Sequence, residues 1–485
     1  MRVPLPIADG FYESESLPLS AQRCVNWMPV VPQTQGKLSP QALFNTPGIE
    51  EFADDVGGYN RGAHVMGGIA YFVNGLGLYE VSSTGVTNYR GGVEGSGRVS
   101  IADNGRYMVI VVPGNKAYAY DNTNNTLEQI TDADFRVASS VVYKDGYFLF
   151  SASDGTVFFS SALNDPFTYD ALDFASAEIS PDKIVALHVN HNELFVLGES
   201  TIEIFQNIGG VAFPFQRISG ANIQKGCYAK SSLVEFDNTF LFIGGGLNER
   251  AAIWRVTSSS SASKISTAAI DYALQQYTQS EIADAFSWTY SSNGNFFAGF
   301  TIDSDTTTGR TFVYDATASA LTQQAVWHER SSGVNDDRWR VNSILSAYGG
   351  LYVGDSKGGK IGELKDGIYT EYGDTVLRTR TSQPFAIDGM PVFSNEIALT
   401  MESGTGLTTG QGDDPQIRMD WSDDGGRTFG SEFTRSYGAK GKYQVVPTWR
   451  RLGRFPQQRV LRFTTSEPVK SNILKMEAEL EQGYQ

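Results

Sequence analysis

A strand–turn–strand unit that recurs along the chain constrains its fold more than any other feature. The clearest copy is residues 141–161, VVYKDGYFLFSASDGTVFFSS, in which Asp145-Gly146 and Asp154-Gly155 separate short runs rich in β-formers. Asp-Gly and Asn-Gly accept the positive φ that a tight hairpin turn demands, so these dipeptides mark where strands reverse. Further copies span 68–81, turning at Asn74-Gly75, and 103–121, turning at Asn104-Gly105 and again at 113–115. The rest occupy 187–206, 232–256, 286–315 with its turn at Asn293-Gly294, and 343–364. Their spacing is roughly 40 to 55 residues, the period of a four-stranded propeller blade.

A single four-stranded sheet leaves both faces wanting cover, and radial stacking buries those faces while leaving only short edges. The chain is therefore expected to be all-β, with a β-propeller over 61–375 of seven blades in preference to six. Abundant glycine (51), 12% aromatic and only 19% charged residues agree with turn-rich β structure. Residues 1–60 carry Pro4, Pro6, Pro18, Pro29, Pro32, Pro40 and Pro47, which argue against a central sheet there. Cys24, Val25, Trp27, Met28, Leu43 and Phe44 are more apolar cargo than a solvated tail carries, so an extended N-terminal arm is expected, laid over its own domain or a neighbouring subunit. Between the fifth and sixth units, after the serine-rich linker 258–263, residues 264–286 form a helical insertion in which Thr278 and Glu281 have capping-box spacing. It reads as an inter-blade connection on the propeller rim ahead of a docking element. Residues 376–485 change rhythm, and strands at 378–385, 395–401, 416–422, 442–446 and 459–465 predict a C-terminal β-sandwich-like domain. The glycine-rich loop 402–415 is expected to be mobile.

The formal charge of −16 excludes a protein that wraps nucleic acid with its whole surface, though not a local basic face. Two distant cysteines, Cys24 and Cys227, make no disulfide framework, and no apolar run reaches the length of a membrane span. A soluble protein made in the cytoplasm without a targeting signal is expected. His188 and His191 would point to opposite faces of a strand, with no further ligands to complete a metal set. Asp54-Asp55, Asp336-Asp337 and Asp413-Asp414 fall in predicted loops, where solvated charge is the ordinary state of an acid pair. P-loop and zinc-helix motifs are absent from the sequence. No cofactor, metal or catalytic residue is expected, and the chain is read as a non-enzyme.

Two local patterns remain. Ser422, Asp424, Gly426, Thr428 and Phe429 fit S-x-D-x-G-x-T-F and resemble the Asp box of sialidase-like propellers, a structural turn in which acid and glycine satisfy the backbone. Between 436 and 475 lie Lys440, Lys442, Arg450, Arg451, Arg454, Arg459, Arg462, Lys470 and Lys475 against a lone acid, Glu467. Interleaved aromatic and apolar residues make this stretch an interface candidate, with an acidic protein partner ahead of passing DNA. Arg450, Arg451 and Arg454 with Trp27, Trp449 and Phe455 are the residues expected at a subunit or adaptor interface.

Several stretches, in order along the chain, carry a family resemblance: Val25-Asn26, 46–49 (TPGI), 95–100 (GSGRVS), 200–203 (STIE), 224–226 (QKG), 266–281 and 450–454 (RRLGR). On these the chain resembles the packaged-DNA stabilisation or tail accessory proteins, tail hub or nozzle components, of short-tailed bacteriophages. The resemblance implies a structural virion protein in the tail, made and assembled in the host bacterial cytoplasm. It implies a homohexamer beneath the portal–adaptor ring, partnered by a tail needle or plug and by tailspike or fibre proteins. Phage DNA would pass through the channel without sequence specificity and be retained until ejection. Two other classes stay open on the residues: a sialidase-like or other glycan-cleaving propeller enzyme, and a glycan-binding tail fibre module.

Overall fold

The computed structural model describes residues 2–34, 38–54, 56–177, 182–210, 213–386 and 390–483. Asp55, half of one acid pair noted above, lies outside them. Seven sheets follow one another through the first three quarters of the chain. The first five begin with Asn60–Met66, Ser100–Asp103, Ala138–Lys144, Ile184–Asn190 and Gly226–Cys227. The sixth and seventh begin with Phe286–Ser292 and Val341–Ala347. Ser100–Asp103 lies between the first strands of blades one and three, and Val341–Ala347 packs against those of blades six and one, so the ring closes.

Each gap between neighbouring blades holds its own apolar core, and this is what the aromatic-rich runs supply. Tyr71 and Val73 meet Met108 and Tyr120 between blades one and two, and Val111 meets Phe148 and Phe150 between two and three. Phe158 meets Val196 and Phe205, and Phe195 meets Phe240 and Phe242. Ile243 meets Phe300 and Trp327, Trp288 meets Val353, and Tyr352 meets Phe72, which completes the seven. Full burial of one such side chain is worth about 1.5–3 kcal/mol. The ring is thus held by side chains between sheets, joined by backbone bonds at a few points such as Gly114 N to Ala138 O and Ile184 N to Gly155 O, each at 2.9 Å.

The seventh blade takes its outer strand from far upstream. Gly48–Ala53 pairs antiparallel with Ile361–Lys365, so the first and last parts of the propeller are joined in one sheet. The two helices expected within 264–286 are Ala268–Leu274 and Gln279–Ala283, and Ile270, Leu274 and Ile282 bury into the core between blades five and six. The capping box forms: Thr278 Oγ1 accepts from Glu281 N at 3.3 Å while Glu281 Oε2 accepts from Thr278 N at 2.7 Å. The serine-rich stretch read as a linker is instead a turn between Ala252–Ser258 and Ser261–Lys264, the outer hairpin of blade five. Among the described residues no helix is long and apolar enough to cross a membrane.

The C-terminal part is a sandwich around Trp27, Leu43, Ile397, Leu399, Met419, Trp449, Leu461 and Phe463. One of its sheets has the order Thr448–Arg450, Val392–Met401, Ile473–Gln482, Ala42–Asn45, Trp27–Val30. The N-terminal segment therefore supplies sandwich strands, and Ala42–Asn45 lies inside the sheet, against the expectation that its prolines argue against a central sheet there. Pro29 is tolerated because Trp27–Val30 is the edge strand of that order. The strand expected at 442–446 is absent. Gly441 turns at φ 84°, Tyr443 is exposed, and the strands lie instead at Phe433–Ser436 and Thr448–Arg450.

The other sandwich sheet does not stop at the sandwich. Cys24–Val25 pairs on one side with Arg378–Thr381 of the sandwich, Val25 opposite Thr379. On the other side it pairs in parallel with Val326–Ser332, the last strand of blade six, Val25 opposite Glu329. A ten-stranded sheet thus runs from the propeller into the sandwich through a two-residue strand.

Candidate assembly interface

The basic stretch folds as a tight loop on the edge of the sandwich. Thr448–Arg450 and Arg454–Phe455 both pair with Val392–Met401. Between them Arg451 takes φ 60° and Gly453 φ 74°, and Arg451 N donates to Asn395 O at 2.9 Å. Leu452 is thereby turned into the core, while Arg450, Arg451 and Arg454 are left exposed. Arg450 Nε holds Glu396 Oε2 at 2.7 Å, and Arg2 reaches the same carboxylate. Arg451 and Arg454 have no carboxylate partner among the described residues. Phe393, opposite Arg454 in the ladder, is 42% exposed, so that cation stands beside a partly exposed ring.

The three aromatic residues expected beside them are not on this surface. Trp27 Nε1 donates to Ser471 O at 3.1 Å and Trp449 Nε1 to Phe433 O at 2.7 Å, both rings lying in the sandwich core. Phe455 is fully buried against Phe385. Their apolar surface is covered by the chain itself, Trp27 and Trp449 within the sandwich core and Phe455 against Phe385. Further along, Arg459 forks onto Asp423 at 2.7 and 2.8 Å, and Lys470 pairs with Glu402 at 2.7 Å. Those cations are occupied within the fold.

The Asp box is a self-contained turn. Asp424 Oδ1 accepts from Arg427 N and Thr428 N, each at 3.0 Å, and from Ser422 Oγ at 2.6 Å. Thr428 Oγ1 donates to Asp424 Oδ2 at 2.5 Å, and Gly426 N donates to Ser422 Oγ at 2.8 Å with Gly426 at φ 90°. These bonds, Ser422 first, hold the Asp424 carboxyl far below the ordinary carboxylate range. Phe429 anchors the exit beneath the Arg462 guanidinium, 4.0 Å from the ring centre. An acid so fully engaged by its own turn has nothing left to offer a substrate.

Other chemistry-bearing residues are scattered. His188 sits near the end of the first strand of blade four, whereas His191 lies in the following turn at φ 51°, its Nε2 3.2 Å from Asn238 O. Asp336 binds Arg23 and Asp337 binds Lys357, while Asp414 accepts from Ser436 Oγ. Among the described residues no group of three His, Cys, Asp or Glu is placed to hold a metal ion. Cys24 and Cys227 are free and buried, and burial pushes both thiols up to about 12.

Sequence reasoning missed the residues that join the two units. Arg23 Nε and Nη2 donate to the two oxygens of Glu329 at 3.0 and 2.9 Å, and Arg310 adds a bond to Glu329 Oε1 at 2.7 Å. Buried Arg380 of the sandwich donates to Ile7 O at 2.6 Å and to Gln22 Oε1 at 2.8 Å. Asn26, at φ 57°, reaches both units, donating from Nδ2 to Ser331 O at 3.0 Å and to Leu377 O at 2.8 Å. No local pattern announces these contacts. Only a buried arginine's need for several acceptors hints at them.

Residues 2–369 match the family model described as bacteriophage P22 Gp10, beta-propeller, and residues 382–481 the one described as bacteriophage P22 Gp10, beta-sandwich. The tail hub protein gp10 of Salmonella phage P22 is 25% identical over 446 residues, 89% of each chain. Among solved structures, the N-terminal domain of Nup159 superposes with a TM-score of 0.40 at 10% identity, covering 66% of this chain and 94% of that one. A computationally designed protein, Ika8, gives 0.37 at 13% identity, covering 65% of this chain and 100% of that one. Superpositions this loose carry no argument.

Proposed function

The chain belongs to the bacteriophage P22 Gp10 family, and on that premise we propose that this phage tail structural protein is the tail hub of a short-tailed phage. In this reading about six copies form a ring, as head-to-tail interfaces do when their rotation closes. The ring docks beneath the portal–adaptor assembly and encloses the DNA channel. With a needle-like plug it retains the packaged genome until ejection, and it offers attachment to tailspikes or fibres. Assembly takes place in the host cytoplasm.

The observation that carries this reading is the continuous ten-stranded sheet from blade six into the sandwich. A collar that resists DNA pressure needs its two ends to move as one body, and here backbone hydrogen bonds through Cys24–Val25 couple them. The exposed, unpaired Arg451 and Arg454 beside Phe393 suit an acidic neighbour. The net charge of −16 suits a conduit that repels phosphate and lets DNA slide. The test is the DNA content of phage particles carrying Arg451→Gly with Arg454→Glu. Particles that fill and then leak DNA support the reading, whereas particles that retain DNA like the parent contradict it.

A further inference from the structure

We propose that the cavity walled by Arg98 and Lys230 at the propeller axis is a binding site for a small oxyanion of the phosphate or polycarboxylate class. Two adjoining cavities of about 720 and 280 Å³ share Arg98, Pro113, Lys230 and Ser231. The smaller is lined by the first strands of blades two, three and four, with the turn Lys230–Ser232 closing it. Among the described residues its ionisable lining groups are Arg98, Lys230 and His188, and no carboxylate lines it. In a chain of net charge −16, that is a locally positive enclosure.

Arg98 is the centre of it. Its guanidinium lies 3.8 Å over the Phe286 ring, and Nη2 donates to Asn342 O at 2.6 Å. Nη1 is buried with no hydrogen-bond partner among the described residues. Arg338, the nearby cation, is neutralised by Asp303 at 2.8 Å, whereas among the described residues Arg98 has no ion pair. Burial and the charge of Arg338 push the Arg98 guanidinium down to about 9, so it is still charged at neutral pH and uncompensated. A planar cation with unused donors is complemented best by an oxyanion. Lys230, lowered by burial against the opposing charge of Asp284, supplies a second, partly balanced charge, and Ser139 and Ser231 supply hydroxyls. The His188 Nε2 is likewise buried without a partner. At about 280 Å³ the space lies at the lower limit for small-molecule sites. The larger cavity carries Glu281, Asp284, Asp303 and Asp305, a fringe of acids that disfavours entry of a long polyanion such as a DNA strand.

The test uses the full chain in a chloride buffer, titrated with inorganic phosphate and, separately, with citrate, and followed by calorimetry and thermal shift. Saturable binding of either anion, absent with chloride at matched ionic strength, is expected. Saturation by phosphate alone assigns a tetrahedral ligand, and saturation by citrate alone assigns a carboxylate. Arg98→Gln and Lys230→Met should each weaken it by about ten-fold or more, as loss of a charge-assisted contact does. Lys264→Met, exposed on the outer strand of blade five, should leave it unchanged. Should Arg98→Gln fail to fold, the half-buried Lys230→Met decides. Absence of saturable binding by both anions, or binding unchanged in Lys230→Met, overturns the proposal.

Discussion

Asn26 and Ser331 pair like two strands of a ladder, although one partner is a side chain. Asn26 Nδ2 donates to Ser331 O at 3.0 Å, and Asn26 Oδ1 accepts from Ser331 N at 3.1 Å. The Asn26 backbone continues the pattern, its N–H donating to Glu329 O at 2.9 Å. One buried residue at positive φ thus extends the bridging strand Cys24–Val25 along blade six and also reaches Leu377 at the entrance to the sandwich.

Asn26→Ala removes those side-chain bonds and places a less tolerant residue at φ 57°. A loss of about 2–4 kcal/mol is expected from the orphaned buried backbone groups. Because the two units are coupled there, calorimetry should show the single transition splitting into separate propeller and sandwich melts. An unchanged single transition would refute the bridging role.

Glu329→Gln tests the ion-pair half of the same junction. Glu329 is 2% exposed and is shared by Arg23 and Arg310, which hold its carboxyl below the ordinary range against the opposing effect of burial. Neutralising it leaves two cations facing a partner that no longer answers them, at a cost of about 3 kcal/mol. Denaturant titration reads the loss, and faster proteolysis of the N-terminal segment should accompany it.

Deleting residues 1–58 separates the possible roles of the N-terminal segment. The deletion removes Gly48–Ala53 from blade seven, the Cys24–Val25 bridge, and three strands of one sandwich sheet, Arg2–Leu5, Trp27–Val30 and Ala42–Asn45. The truncated chain should fail to fold. A truncated chain with a native β-spectrum and cooperative melting would mean that the segment serves only neighbouring subunits.

Acid should weaken the fold through its buried histidines. Burial pushes His328 down to about 3, with Arg330 adding to the effect, and burial pushes His188 down to about 4. The unfolded chain binds these protons near the ordinary value of 6.5, so stability falls as pH drops below 6.5 and the loss ends near pH 3. Asp315, raised by burial to about 6, acts in the opposite sense between 6 and 3.8. His328→Phe should therefore flatten the fall in Tm between pH 6.5 and 4. An identical pH profile in the variant would count against a neutral buried His328.

Much of the architecture was legible because its signals are local. Asp145-Gly146 and Asn293-Gly294 adopt the positive φ that their composition predicts, at 50° and 92° and at 51° and 77°. The Asp box and the capping box are likewise complete within a few residues. The junction was illegible for the converse reason. Cys24–Val25 is too short to show a period, and its partner on blade six lies some three hundred residues away. Ile473–Gln482, a ten-residue strand in the middle of the sandwich, was missed because its lysine and glutamates mask the buried Ile473, Met476 and Ala478. In the assembly stretch, sequence located the cations. It could not tell that Trp449 and Phe455 turn inward on the same strands, since only the packing decides which face is covered.

Arg451→Gly isolates charge from fold at the candidate interface. Arg451 occupies a left-handed backbone conformation that glycine adopts freely, so the change should leave Tm unchanged or slightly raised while removing an exposed cation. Combined with Arg454→Glu it should abolish assembly without unfolding the monomer.

The central claim is that this chain is an assembly component rather than a solitary binding or cleaving protein. Its most direct test is the solution mass of the purified protein, alone and mixed with the phage's portal–adaptor assembly. The account predicts a chain that joins that assembly as a ring of about six copies. A protein that ignores the portal–adaptor assembly at every concentration, and instead binds or cleaves surface glycans as a monomer, would contradict it.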